Sequence, residues 1–81
     1  MNQNEILEKI KDVCVEILNI DTSIIKPESR FSEDLGADSL QSLELVASFD
    51  ETFDIEMDED GALAVKTVGD AVSFISKYVN A

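Results

Sequence analysis

The stretch EDLGADSLQSLELV, from Glu33 to Val46, sets Ser39 where a glycine-bearing loop gives way to a helical pattern. Acidic residues crowd around it. A serine acts as a nucleophile when a base within hydrogen-bond reach takes its proton. The chain contains no histidine. Lysine can play that part, but Lys26 and Lys66 are the nearest in sequence, and no motif ties either to Ser39. Neighbouring carboxylates also oppose formation of an alkoxide. Ser39 is therefore not expected to be a nucleophile within its own protein, and no catalytic residue is assigned. It is well suited to be a substrate for another enzyme. A phosphodiester on its hydroxyl would sit at the positive end of a helix dipole, near free backbone N–H groups. That term offsets part of the repulsion from Asp34 and Asp38.

The elements around this serine follow from periodicity and capping. Ile6, Ile10, Val13 and Ile17 recur at helical spacing, and Leu7, Cys14 and Leu18 widen the stripe. Asn2 with Glu5 forms a candidate capping box, and Asn19 a candidate end. A long loop follows, IDTSIIKPESRFSEDLGAD, in which Pro27 stops any helix and Gly36 permits a tight turn. Ile20, Ile25, Phe31 and Leu35 are the apolar points expected to pin it to the core. Loops of this length are usually functional. The second helix is expected to begin near Ser39, with Asp38 as N-cap and Gln41 answering it. Val46, Phe49 and Phe53 form its expected inward stripe, widened by Leu43 and Leu45. A short helical turn is expected from Glu59 to Ala64. The last helix opens at Thr67, with Asp70 as its box partner, and turns Val68, Ala71, Val72, Ile75, Tyr78 and Val79 inward. Strand-like alternation is absent. The expected fold is all-α: a small bundle of three main helices plus one short helix, with a long loop between helices one and two.

With 81 residues the chain has room for one domain, taken as 1–81. A domain this small buries only about 60–70% of the surface its unfolded chain exposes, which leaves little room for a deep active-site cavity. Hydrophobic residues make up 44%, so the chain is expected to fold. The 18 acids against 6 bases leave a net charge of −12. Nucleic acid and anionic membranes would repel such a surface, and a basic protein surface is its natural partner. The lone cysteine, Cys14, fits a reducing, cytoplasmic setting. It lies on the buried stripe of helix one and is expected to be core. No apolar run is long enough to span a membrane, and the N-terminus lacks a basic region followed by an apolar one.

Charge is unevenly spread. No base lies between Arg30 and Lys66, while eleven acids do: Glu33, Asp34, Asp38, Glu44, Asp50, Glu51, Asp54, Glu56, Asp58, Glu59 and Asp60. Leu40, Glu44, Ala47 and Glu51 share one face of the second helix, offset from its core stripe. That face is acidic with a small apolar centre, suited to a basic enzyme surface, and Asp34 is counted with it.

The motif F-x-x-D-L-G-A-D-S-L from Phe31 to Leu40, then L-E-L-V from Leu43 to Val46, then the acidic run to Phe53, resembles the central signature of the acyl carrier protein family. T-V-G-D-A-V from Thr67 resembles the start of the family's last helix, and the likeness runs from about Ile6 to Val79. The resemblance implies that a phosphopantetheinyl transferase attaches 4'-phosphopantetheine from coenzyme A to Ser39. It also implies that Asp38 assists Mg²⁺ in the transferase complex, and that the arm's thiol carries acyl groups as thioesters between enzymes of fatty-acid or related synthesis. It implies a monomeric carrier that is not itself an enzyme, that meets its partners through helix two, and whose apolar interior doubles as a sheath for the cargo. Specialised polyketide or aminoacyl cargo is the alternative within the class. Gln41, Ala47, Asp58, Gly61 and Leu63 depart from common members. Ala47 thins the apolar docking centre.

A reading of a different class is a calcium-binding module. EMDEDGALAVKT places Glu56, Asp58 and Asp60 at the first, third and fifth positions of an EF-hand-like loop and Gly61 at the sixth. Thr67 stands where a bidentate glutamate belongs. Weak divalent binding at Asp58, Glu59 and Asp60 is expected even without a true site.

Overall fold

The computed structural model describes residues 1–80. The expected domain, 1–81, ends at a residue outside them. Four helices follow in order: α1 (Gln3–Leu18), α2 (Ser39–Phe53), α3 (Glu59–Ala64) and α4 (Val68–Val79). No strand occurs among the described residues, only an isolated pairing of Arg30 with Thr67.

Each helix begins where its cap predicts. Asn2 Oδ1 accepts the Glu5 N–H at 2.9 Å, and Glu5 Oε1 accepts the Asn2 N–H at 3.4 Å, closing the box on α1. Asn19 ends that helix in the left-handed region, which asparagine tolerates better than most residues. Thr67 Oγ1 accepts the Asp70 N–H at 3.1 Å at the start of α4. Asp58 Oδ2 does the same for Gly61 at 2.9 Å and starts α3.

The core is built from Ile6, Ile10, Val13 and Cys14 of α1, Leu45, Phe49 and Phe53 of α2, and Val68, Ala71, Val72 and Ile75 of α4. Burying a large apolar side chain contributes about 1.5–3 kcal/mol, so this shared interior holds the three long helices together. Leu43 does not join the inward stripe of α2 expected for it: it is 44% exposed, whereas Leu45 is 3%. The inward face centres on Leu45, Phe49 and Phe53, with Val46 half-buried beside them. Residues two apart on a helix point about 200° apart, so Leu43 and Leu45 cannot share one face.

The loop between α1 and α2 is not structureless. It includes a 3-10 turn over Thr22–Ile24, capped by Asp21. Ile25 and Leu35 are buried, and Ile20 and Phe31 are half-buried against the core. The loop is stitched to the approach of α4. Pro27 O accepts the Gly69 N–H at 2.7 Å, Ser29 O accepts the Val68 N–H at 2.9 Å, and the Phe31 N–H donates to Lys66 O at 3.0 Å. A Cβ at position 69 would stand 3.0 Å from Pro27 O, so glycine permits that approach. Buried Ser29 is satisfied: its Oγ accepts the Lys26 N–H and donates to Ile24 O. These bonds carry the chain to the start of α2 along a defined path.

Candidate functional site

Ser39 is the first residue of α2 and is exposed. Two buried residues, Leu35 and Ala37, anchor the chain just before it. Between them Gly36 has φ +77°, a conformation costly for residues with a Cβ. The Ala37 N–H donates to Phe31 O at 2.9 Å and closes the turn. Asp38 is the N-cap: its Oδ1 accepts the Gln41 N–H at 2.8 Å, and Gln41 Oε1 accepts the Asp38 N–H at 3.2 Å. The Ser42 hydroxyl donates to Asp38 O at 2.9 Å. A buried anchor on one side and a reciprocal cap on the other thus hold Ser39 outward.

The cap uses the N–H groups of Asp38 and Gln41. Those of Ser39 and Leu40 have no acceptor among the described residues, as expected at a helix start. No hydrogen bond joins the Ser39 side chain to a base among the described residues. The residues present fit a phosphodiester-linked group: a solvent-facing hydroxyl, two free donors and the positive end of a helix, with nothing to make the serine attack on its own.

The expected docking residues Leu40, Glu44, Ala47 and Glu51 are all exposed on α2. The structure adds Leu43, which with Leu40 and Ala47 makes an apolar strip at helical spacing. Leu43 is expected from the sequence to widen the core stripe. Its spacing of three from Leu40 and four from Ala47 was the signal that pointed elsewhere. Asp34 stands apart from the other residues expected at the docking face. Its Oδ2 accepts the Arg30 N–H at 2.8 Å and Nε at 3.1 Å. The Arg30 guanidinium, then its backbone N–H, holds the Asp34 carboxyl below the usual carboxylate range. Arg30 also pairs with Glu33. Among the described residues, no other acid between Arg30 and Lys66 has a basic partner. On α2, Glu44 and Glu51 are exposed and have no basic partner among the described residues, while Asp50 accepts the Met57 N–H.

An apolar cavity of about 60 Å³ lies among α2, α3 and α4. Ser42, Val46, Phe49, Met57, Leu63 and Phe74 are among its walls. Ser42 lies three residues after Ser39, on the same side of the helix, so the cavity begins one turn below the serine. Phe74 was not among the residues expected to matter.

Burial pushes the Cys14 thiol up to about 12, so it stays protonated and unreactive, as its expected core role requires. The EF-hand-like segment is not held as an ion loop. Residues 59–64 are helical, and the Asp58 carboxylate caps that helix. No group of three or more acidic or cysteine side chains is arranged to hold a metal ion among the described residues. No helix among them is long and apolar enough to cross a membrane.

Comparison with known proteins bears on this arrangement. A family model described as "Phosphopantetheine attachment site" matches residues 8–75. A curated relative named acyl carrier protein, from Prochlorococcus marinus (strain MIT 9515), is 47% identical over 75 residues, covering 93% of this chain and 94% of the relative. A solved structure described as an acyl carrier protein from Mycobacterium tuberculosis matches with a TM-score of 0.82 at 30% identity, covering 89% of this chain and 96% of that one.

Proposed function

The chain belongs to the acyl carrier protein family, a carrier and not a catalyst whose cofactor is 4'-phosphopantetheine, and on that premise we propose that Ser39 bears the arm and that the cargo belongs to fatty-acid synthesis. The observation that carries the assignment is the exposure of Ser39 at the first turn of α2, with no base in reach and two free N–H groups beside it. When bound, the arm supplies a thiol that holds acyl groups as thioesters.

The chain's own residues have five tasks. Leu35 and Ala37 anchor the approach, so that the Ser39 hydroxyl faces a transferase. The N–H groups of Ser39 and Leu40 face the phosphate oxygens. Asp38 turns one carboxylate oxygen to its cap bond and leaves the other for Mg²⁺ in the transferase complex. Leu40, Leu43, Glu44, Ala47 and Glu51 present an acidic surface with an apolar strip to synthases with basic docking faces, and Asp34 supports the loop beside them. The cavity beneath Ser42 shelters the cargo between visits. The protein works as one monomeric carrier domain in the cytoplasm.

Intact mass after incubation with coenzyme A and a transferase tests the assignment, with peptide mapping to locate the added group. One addition on Ser39 is expected, and none in Ser39→Ala. That variant should fold normally, because the hydroxyl makes no bond to the rest of the described chain. Addition persisting in it would remove Ser39 as the attachment point. Identifying acyl groups on protein from its native cell then reads the pathway.

A further inference from the structure

Cargo shelter needs a length limit, and one residue stands where a limit would be set. Both α2 and α4 start at the end of the bundle where Ser39 lies. Phe31 joins those starts, its carbonyl accepting the Ala37 N–H and its N–H donating to Lys66 O. At the opposite end the Met57 N–H donates to Asp50 Oδ1 at 3.0 Å, and the Asp58 N–H donates to Tyr78 Oη at 3.1 Å. A chain entering beneath Ser42 therefore travels toward the segment 57–58. Phe74 meets it there, on the turn of α4 just before Tyr78.

Two residues pack against the Phe74 ring. Tyr78 meets it with ring centroids 5.4 Å apart at 57°, a tilted pairing of the favoured kind. Gly61 of α3 also stands against it. A Cβ there would lie 3.1 Å from Phe74 Cζ, 3.3 Å from Cε1 and 2.9 Å from the capping Asp58 Oδ2. Glycine is a poor residue for a helix interior, and its place in a six-residue helix is explained by the space it leaves for this ring.

We propose that Phe74 is the specificity-determining floor of the cavity, limiting the length of acyl chain the carrier shelters, and that Gly61 positions it. This rests on the carrier reading above and adds the residues that set chain length.

The test loads wild type, Phe74→Leu, Phe74→Ala and Gly61→Ala with saturated acyl-phosphopantetheine arms of increasing length. Intact mass verifies each loading, and thermal melts compare each loaded form with its own unacylated holo form. A chain sheltered only by the folded state raises the melting temperature. For wild type the rise should grow with length to an optimum and then stop. Phe74→Leu and Phe74→Ala should move that optimum to chains longer by several methylenes. Gly61→Ala, which drives the ring off α3, should move it to shorter ones. Val79→Ala, half-buried on α4 outside the cavity wall, is the control: it should lower every melt and leave the optimum in place. A wild-type rise that does not depend on length, or an unmoved optimum in properly loaded and folded Phe74→Leu, overturns the proposal. Absence of loading in wild type would instead defeat the Ser39 assignment, and the mass spectrum distinguishes the two.

Discussion

Arg30 grips Asp34 with both its backbone and its side chain: the N–H and Nε each reach Asp34 Oδ2, at 2.8 and 3.1 Å. This closes the turn that leads to Ser39. The guanidinium bond, and then the backbone N–H, favours the charged carboxylate and lowers its folded pKa. Such a group adds stability that is fully present above its unfolded pKa of about 3.9 and is lost as pH falls through the lowered folded value. A carboxyl-detected NMR titration should find Asp34 ionising below the ordinary aspartate range. Arg30→Gln should move it part of the way back, since the backbone bond remains. An unchanged Asp34 titration in that variant would mean the guanidinium does not act on it.

The proposed docking role of the exposed α2 face predicts a kinetic effect. Glu44→Lys and Glu51→Lys should slow association with the transferase and with synthases while leaving the fold intact, because both side chains are exposed. An exposed ion pair is worth only about 0–1 kcal/mol, so roughly fivefold at low salt is the expected scale, shrinking as salt is added. Leu43→Ala should weaken binding with little salt dependence. Stopped-flow association across a salt series separates these effects. Equal rates for wild type and both lysine variants at low salt would show that this face is not the one partners meet.

Asp54 ends α2 in a left-handed conformation, φ 53° and ψ 51°. Its carboxylate also sits at the negative end of the helix dipole, beside Asp50 and Glu51, with no base in the last turn. Asp54→Asn keeps a side chain that accepts this backbone and removes the charge. It should stabilise the protein by about 0.3–1 kcal/mol, a melting-temperature gain of a few degrees at this size. Asp54→Gly should also stabilise, whereas Asp54→Ala should gain less because alanine resists positive φ. Ranking the three melts is the check. Alanine outperforming glycine would contradict the backbone part of the explanation.

The acidic half of the chain carries stored repulsion, for only Glu33 and Asp34 of its eleven acids have a basic partner among the described residues. Salt shortens the Debye length from about 30 Å at 0.01 M to about 10 Å at 0.1 M. The melting temperature should rise with NaCl, and rise further with millimolar Mg²⁺ or Ca²⁺ at matched ionic strength if Asp58, Glu59 and Asp60 take the ion weakly. Melts that stay flat or fall in both series would show that the pole costs this fold nothing.

What the sequence determined by itself was local. Asn2 and Glu5, Asp38 and Gln41, Thr67 and Asp70 each lie three residues apart, so the caps and helix starts are decided within one turn of chain. The span of α3, from Glu59 to Ala64, was legible for the same reason, and so was the display of Ser39, which depends on Gly36, Asp38 and the helical pattern that follows. Tertiary structure decided which side of α2 meets the core: it buries Leu45 and Phe49 and leaves Leu43 outward. The cavity was illegible in the sequence because its walls come from three helices. The floor depends on a ring from α4, a missing Cβ on α3 and a tyrosine one turn further along. Their spacing in the chain carries no information about how closely they pack. Only the folded chain brings Gly61 of α3 against Phe74 of α4 and makes the absence of a side chain at one position govern the placement of another.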